Sequence, residues 1–221
     1  MKTKKYLQQD EEQDEEQEKT NDFVLFPSLF GSDDIPRIVS LYGEVNESSC
    51  KNAVAGFYSL HESGTVEEVV ECEEEEEAIV KRSHLPIDFI ISTAGGSVSD
   101  MFALYDCMRD VRKECEINCF GIGKIMSAGV LLLAGGTKGK RKVGKNCRLM
   151  LHSISGGHFG SLKELEVDIK EVRWFQNQYA KALAAETSLT ERQIKNIFRR
   201  KTDTYFDAET AVKWGIADEV V

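Results

Sequence analysis

Residues 121–136 read Gly-Ile-Gly-Lys-Ile-Met-Ser-Ala-Gly-Val-Leu-Leu-Leu-Ala-Gly-Gly, and a second apolar run ends downstream in Met150-Leu-His152. One serine, Ser127, stands between small residues at the start of the apolar segment. The sequence predicts a buried helix over 127–135 that follows a strand and a glycine turn. A hydroxyl at the start of a helix lies at the positive end of the helix dipole, where negative charge is stabilised. Ser127 is therefore the first candidate for chemistry.

Apolar strands and helical segments alternate around this stretch. The pattern predicts strands at 37–43, 87–91, 116–120 and 147–151, and helices at 46–61, 97–113 and 127–135. The connections are too long for hairpins, so the strands are expected to run parallel in βαβ units. After His152 the pattern is helical: a capping box at 161–164 begins a long helix that ends near Glu186, and shorter helices are predicted at 190–200 and 208–214. The predicted class is α/β.

Charge and hydropathy exclude several partners. The chain has 28 basic and 38 acidic residues, a net charge of -10, which argues against nucleic acid or an anionic membrane as partner. The longest apolar run, 128–134, is too short to span a bilayer. Residues 1–22 are expected to form an acidic tail without stable structure, and residues 23–221 the folded domain. The acidic stretch within 64–84 is predicted to be a solvated loop.

The six cysteines form no CxxC pair, and no Cys/His cluster has the spacing of a metal site. Several stand in apolar periodic stretches, as buried free thiols do. With no signal peptide apparent, a reducing, cytoplasmic setting is expected.

Serine, histidine and aspartate are the three parts of a nucleophilic hydrolase, and the chain offers Ser127, His152 and Asp203. His152 ends a predicted strand, and the carboxyl ends of parallel strands are where ligands bind. Each residue also has an ordinary structural interpretation. Ser127 can be a small packing residue, His152 a core histidine and Asp203 a turn aspartate. His158 competes with His152, whereas His61 and His84 are less favoured because they lie at a helix end and beside the acidic stretch.

Gly95 and Gly96 lie between a predicted strand and a helix capped by Ser97. Glycine there allows a tight turn, and its amides can equally form an anion-binding nest. In the second interpretation a glycine amide and the amide of Ala128 would bind an oxyanion. The segment is not a phosphate-binding loop, since no Gly-Lys-Ser/Thr follows.

Together these motifs resemble the Clp-type peptidase family, over residues from about 38 to 221. The motifs that match are the glycine pair in Ser92-Thr-Ala-Gly-Gly-Ser-Val98, the nucleophile in Gly123-Lys-Ile-Met-Ser-Ala-Gly129, the run Gly136-Thr-Lys-Gly-Lys-Arg141, the histidine in Arg148-Leu-Met-Leu-His152, and Asp203 followed by Ala208, Ala211, Gly215 and Asp218.

The resemblance implies a serine endopeptidase of the Clp/crotonase-like superfold. Ser127, His152 and Asp203 would be its catalytic residues, Gly96 and Ala128 its oxyanion hole, and Gly95, Ser97 and Val98 substrate-binding residues. It also implies no cofactor and no metal, two stacked seven-membered rings, an AAA+ unfoldase ATPase as partner and unfolded polypeptides as substrates. The helix over 161–186 would be the handle that interleaves the rings.

Some residues depart from the family pattern. Lys124, Ile125 and Met126 stand where small polar residues are usual, Ser-Ile follows His152, and Lys201-Thr202 replaces the acidic-Arg pair that links rings. The axial-loop sequence is not recognisable, and the insert at 64–84 is unusually large and acidic. Such changes are typical of a divergent member, for example one encoded by a virus or phage.

Three other functions fit parts of the sequence. An inactive scaffold subunit of a mixed ring would keep the fold but lose a catalytic residue. A membrane-associated peptidase of the same superfold would use a serine-lysine dyad, for which Lys124 is the candidate. An acyl-CoA hydratase or isomerase would use the glycine oxyanion hole but needs acidic groups where this chain has His152.

Overall fold

In the computed structural model, which describes residues 36–70, 79–156 and 159–221, the chain folds as a mostly parallel sheet with helices packed on it. The strands are β1 (Ile38–Val45), β2 (Thr65–Val70), β3 (Ile79–His84), β4 (Ile87–Gly96), β5 (Ile117–Met126), β6 (Arg141–Val143), β7 (Arg148–Leu151), β8 (Thr204–Phe206) and β9 (Glu219–Val220). The helices are α1 (Glu47–Ser63), α2 (Val98–Val111), α3 (Ala128–Ala134), α4 (Leu162–Glu186), α5 (Glu191–Phe198) and α6 (Ala208–Lys213). The predicted α/β class is confirmed.

The main sheet has the order β1-β4-β5-β6-β9, and its pairs along this path are parallel. Strand β5 is shared between two neighbours: its first half pairs with β6 and its second half with β7. Strand β8 adds antiparallel to β7. The carboxyl ends of β4, β5 and β7 therefore meet at one edge of the sheet, which is where ligands bind in such folds.

Helix α3 follows β5 directly and is completely buried. All seven residues of α3 are buried, so this helix is apolar on every side, unlike a surface helix with one apolar stripe. It packs against β4, β5 and α2 at the centre of the core. The alternating inward residues of β4, among them Ile87, Phe89 and Ile91, are fully buried beneath it.

The prediction of a loop over the acidic insert is wrong for the two arms of that segment. Strands β2 and β3 pair antiparallel over six positions, from Thr65 opposite His84 to Val70 opposite Ile79. The arms are rich in β-branched residues, which favour strands, and Glu67 pairs across the strands with Arg82 at 2.8 Å. Counting acidic residues concealed the β-branched residues on either side of them.

A buried ionic cluster joins the ends of three helices. Glu186, at the end of α4, is 4% exposed and accepts hydrogen bonds from Arg112 and from the Tyr105 hydroxyl. Arg112 also donates to the carbonyls of Gly135 and Gly136 after α3. Burial by itself raises the pKa of Glu186, but these donors outweigh it and hold the pKa below its ordinary value. The carboxylate is therefore kept charged inside the protein.

The cysteine interpretation is confirmed for the described residues. Cys50, Cys107, Cys115, Cys119 and Cys147 are buried and free, and burial raises the pKa of Cys119 to about 12. Such thiols are protonated at neutral pH and poorly reactive. Cys72, His158 and the predicted tail at 1–22 lie outside the described residues. Among the helices of the described part of the chain, none is long and apolar enough to cross a membrane.

Candidate active site

Ser127 occupies the turn between β5 and α3 in a strained conformation. Its φ of 52° is the one positive φ of a non-glycine residue in the described ranges. Its N–H donates to the carbonyl of Met150 in β7 at 2.8 Å, and its carbonyl accepts from the N–H of Val130 at 3.0 Å. Left-handed conformations at residues other than glycine cost about 1–3 kcal/mol and often mark functional sites. The sharp turn presents the hydroxyl at the sheet edge instead of burying it.

His152 follows the last residue of β7, and its Nε2 lies 2.8 Å from the Ser127 Oγ. The backbone immediately after it is held by α4, because the N–H of Ile154 donates to the side chain of Gln176 at 3.2 Å. Serine and histidine are thus placed by neighbouring strands of one sheet. The distance is that of a hydrogen bond between a nucleophile and its general base.

Asp203 lies beside the other nitrogen of the same imidazole. The antiparallel register pairs Leu151 with Thr204, so the next residue outward on each strand, His152 and Asp203, also face each other. The Asp203 Oδ1 is 3.7 Å from the His152 Nδ1, and the aspartate side chain is 46% exposed. This separation exceeds a hydrogen bond. A small closing movement would bring the two groups into hydrogen-bond contact, in which the carboxylate can orient the ring.

Three glycines allow close packing in and around the Ser127 turn. A Cβ on Gly95, where φ is 96°, would lie 2.6 Å from the Ser127 Cβ, and a Cβ on Gly96 would lie 2.2 Å from the Val45 carbonyl oxygen. A Cβ on Gly129, two residues into the turn, would lie 2.4 Å from the Thr93 side chain. Each position has room only for hydrogen. The glycine pair therefore ends β4 directly against the serine turn.

A cavity of about 310 Å³ opens at this point. Its walls include Gly96, Ser97, Val98, Met101, Ser127, Ala128, Met150, His152, Ile154 and Tyr179. Of the residues predicted from sequence, Ser127, His152, Gly96, Ala128, Ser97 and Val98 line it, Asp203 lies behind the histidine, and Gly95 packs against the serine. The cavity is mostly apolar with a few polar groups in its wall, as in many small substrate pockets.

Sequence reasoning missed Tyr179. This residue of α4 is 3% exposed, and its hydroxyl donates to the carbonyl of Ser127 at 2.6 Å. Burial raises its pKa, so it remains a hydrogen-bond donor at neutral pH. Nothing in the sequence pairs Tyr179 with a residue 52 positions earlier.

Lys124, the candidate for a serine-lysine dyad, is exposed on β5, where it pairs with Arg148 of β7. The basic group that contacts Ser127 is His152.

In a comparison with protein-family models, the model described as Clp protease matches residues 78–221. The matched segment runs from the start of β3 to the end of the chain and contains Ser127, His152 and Asp203.

Proposed function

The chain belongs to the Clp protease family, and from this premise we propose that it is a serine endopeptidase that cleaves unfolded polypeptides. The observation that carries the proposal is the 2.8 Å contact between the Ser127 Oγ and the His152 Nε2 at a strained turn that opens into a cavity. An unfolded segment laid across this edge can bring its peptide carbonyl to the hydroxyl.

The proposed reaction needs only side chains and backbone amides of the chain. The Ser127 Oγ attacks the peptide carbonyl carbon while His152 takes the hydroxyl proton, which forms a tetrahedral oxyanion. His152 then gives that proton to the leaving amine, and the peptide C–N bond breaks to leave an acyl-enzyme. Water, deprotonated by the same imidazole, releases the acyl group and restores the serine.

Asp203 is proposed to hold the imidazole tautomer whose Nε2 accepts the serine proton, and to stabilise the imidazolium that follows. The amides of Gly96 and Ala128, both at the cavity wall, are proposed as oxyanion donors. Removal of one such donor costs about 3 kcal/mol of transition-state stabilisation in well-studied hydrolases. Ser97 and Val98, at the start of α2, would contact the substrate backbone and side chain.

By the same family argument, the peptidase is proposed to act in a closed assembly of stacked heptameric rings, fed by an AAA+ unfoldase, in the cytoplasm. Residues 1–22 are proposed to be a tail outside the folded domain, and α4 the handle between rings. The N-terminal half of α4 supports the handle, because its residues are almost all exposed.

The first experiment is labelling of the full-length protein with a fluorophosphonate probe, followed by peptide mapping. We expect one adduct on Ser127, no adduct in Ser127→Ala, and at least a 100-fold slower reaction in His152→Ala, because the serine then lacks its base. Lys124→Ala is the matched control and should label at the wild-type rate.

An unlabelled Ser127 in protein shown to be folded and assembled would favour an inactive scaffold subunit. Full peptidase activity in Ser127→Ala would contradict the mechanism, and an acyl-CoA hydratase would be unaffected by that change.

A further inference from the structure

Two histidines and a glutamate from separate elements meet at the end of the sheet away from Ser127. His61 is in the last turn of α1, His84 ends β3, and Glu114 follows α2. The Glu114 Oε2 lies 3.3 Å from the His61 Nε2 and 4.0 Å from the His84 Nε2. The three ligand atoms lie within 4.8 Å of one another. We propose that His61, His84 and Glu114 form a zinc-binding site.

The chemistry of the three donors fits zinc better than calcium or magnesium. Two imidazole nitrogens and one carboxylate form a ligand set that zinc accepts, with water as fourth ligand, whereas calcium and magnesium prefer oxygen ligands alone. Zinc bonds of 2.0–2.1 Å in a tetrahedron place ligand atoms about 3.3 Å apart. The His61–Glu114 distance already has this value. The His84 ring, which now stacks on the His61 ring, would have to turn so that its Nε2 points at the same ion.

The two imidazoles lie side by side and are largely buried. Their rings stack with centroids 4.3 Å apart at 11°, and their side chains are 17% and 10% exposed. The carboxylates near their nitrogens are those of Glu114 and of Glu62, the latter at 4.0 Å from the His61 Nδ1. A carboxylate that hydrogen-bonds the second nitrogen of a ligating imidazole orients the ring, and the exposed Glu62 side chain would need to move closer to do so. Glu114, by contrast, is 64% exposed, so the open side of the site faces solvent and gives a metal ion access.

The backbone around the site is fixed independently of any metal. The guanidinium of Arg37 donates to the carbonyls of Leu60, Leu85 and Pro86, at 2.6–3.1 Å. The N–H of Leu85 also donates to the carbonyl of Gly64 at 2.9 Å. These bonds join the end of α1 to the end of β3, next to both histidines. A change of the histidines should therefore remove ligands without releasing this corner of the fold.

The position implies a structural role. His84 precedes β4 and Gly96 ends it, and ten residues at about 3.3 Å each separate the two sites by about 30 Å. Zinc here would not contact substrate. It would instead clamp the base of the β2–β3 hairpin, where Thr65 pairs with His84, to the ends of α1 and α2. Local sequence spacing could not detect the cluster because its ligands are 23 and 30 residues apart.

The test uses the full-length protein, stripped with chelator and titrated with zinc chloride at pH 7.5 by calorimetry. We expect one zinc per chain with a dissociation constant of about 1 μM or tighter, and a higher thermal midpoint in the presence of zinc. Glu114→Gln should weaken zinc binding at least 10-fold, and His61→Ala with His84→Ala at least 100-fold. The control Glu116→Gln changes a nearby carboxylate that pairs with Lys140, and should leave zinc binding unchanged.

His152→Ala is the second control, because the candidate active site also offers an imidazole and a carboxylate. Absence of stoichiometric zinc in the wild-type protein would overturn the proposal. So would zinc binding that survives the double histidine change or disappears in His152→Ala. If the double variant fails to fold by circular dichroism, the exposed and isosteric Glu114→Gln decides the question: wild-type affinity in that variant rejects the site. The outcome is independent of peptidase activity.

Discussion

At the residue scale, the conformation of Ser127 is explained by its neighbours. Its amide, its carbonyl and its Cβ each meet a different element: β7 through Met150, α4 through Tyr179, and β4 through Gly95. A strained φ persists only where surrounding contacts determine it more strongly than local preference. The motif around Ser127 therefore supplies a packing arrangement as well as a hydroxyl. That arrangement requires glycine at positions 95 and 129.

Asp203 is the member of the trio that the structure holds least tightly. Since it is 3.7 Å from the imidazole and half exposed, its removal should cost less than removal of the base or the nucleophile. We predict that Asp203→Ala retains about 100-fold more activity (kcat on a fluorogenic peptide) than His152→Ala or Ser127→Ala, as the aspartate does in a well-studied triad. Asp207→Ala, which removes a helix cap of α6 instead, is the control and should retain peptidase activity. Equal losses at Asp203 and His152 would show that the pair closes fully in the working enzyme.

The sequence identified the members of this trio but could not give their distances. Residue type and the position of each at a strand end or turn selected Ser127, His152 and Asp203. The separation of Asp203 from the imidazole depends on the register of β7 and β8, and β8 has only three residues. A strand that short carries no periodic signal. The same limit concealed Tyr179, whose contribution is a single hydroxyl that contacts a backbone carbonyl.

At the element scale, α4 has two different halves. Its C-terminal half is packed, with Tyr179, Ala180 and Leu183 buried, and from there it contacts the serine turn directly. Gln176, one turn earlier, holds the backbone that follows His152. One helix therefore positions both Ser127 and the backbone that follows His152. Any movement of α4, for example by contact with another subunit, would be transmitted to the candidate active site.

We predict that Tyr179→Phe lowers kcat about 5-fold with little change in KM, because loss of one hydrogen bond, worth about 1 kcal/mol, loosens the turn without changing the cavity wall. The rate of fluorophosphonate labelling at Ser127 should fall in parallel. Tyr58→Phe is the matched control, since its hydroxyl contacts Asp110 on the surface at 3.4 Å. A drop in thermal stability with unchanged kcat would assign Tyr179 to packing alone.

The elements that were predicted well are those with a strong apolar pattern. Helices α1, α2 and α4 begin at the polar caps that the sequence offers, Asn46, Ser97 and Ser161. Strands β4 and β5 extend further than predicted because glycine and polar residues at their ends still pair with neighbours. Strands β6, β8 and β9 were not predicted, since each is only two or three residues long and is stabilised by pairing with a neighbouring strand.

At the scale of the whole molecule, two exposed features adjoin the packed core. The N-terminal half of α4 presents five large apolar residues to solvent: Leu162, Val167, Ile169, Val172 and Trp174. A groove of about 890 Å³ between α2 and α4 is lined by Phe102, Trp174 and Phe175 together with Arg109. Apolar surfaces of this extent usually mark an interface. They support the proposed assembly into rings, in which a 25-residue helix about 37 Å long can reach a second subunit.

We predict that Ile169→Glu disrupts this assembly, because it places a charge among the exposed apolar residues of α4, where burial against another subunit would leave it unpaired. Sedimentation velocity of the wild-type protein should show a species many times heavier than the 24.8 kDa chain, and the variant should shift to smaller species. Val66→Glu, a like change at an exposed valine of the β2–β3 hairpin, is the control and should leave the mass unchanged. Peptidase activity should fall with assembly in Ile169→Glu, since the same helix holds Ser127 and the backbone after His152 in place. An unchanged mass for Ile169→Glu would exclude α4 as the contact between rings, and a monomeric wild-type protein would contradict the ring proposal itself.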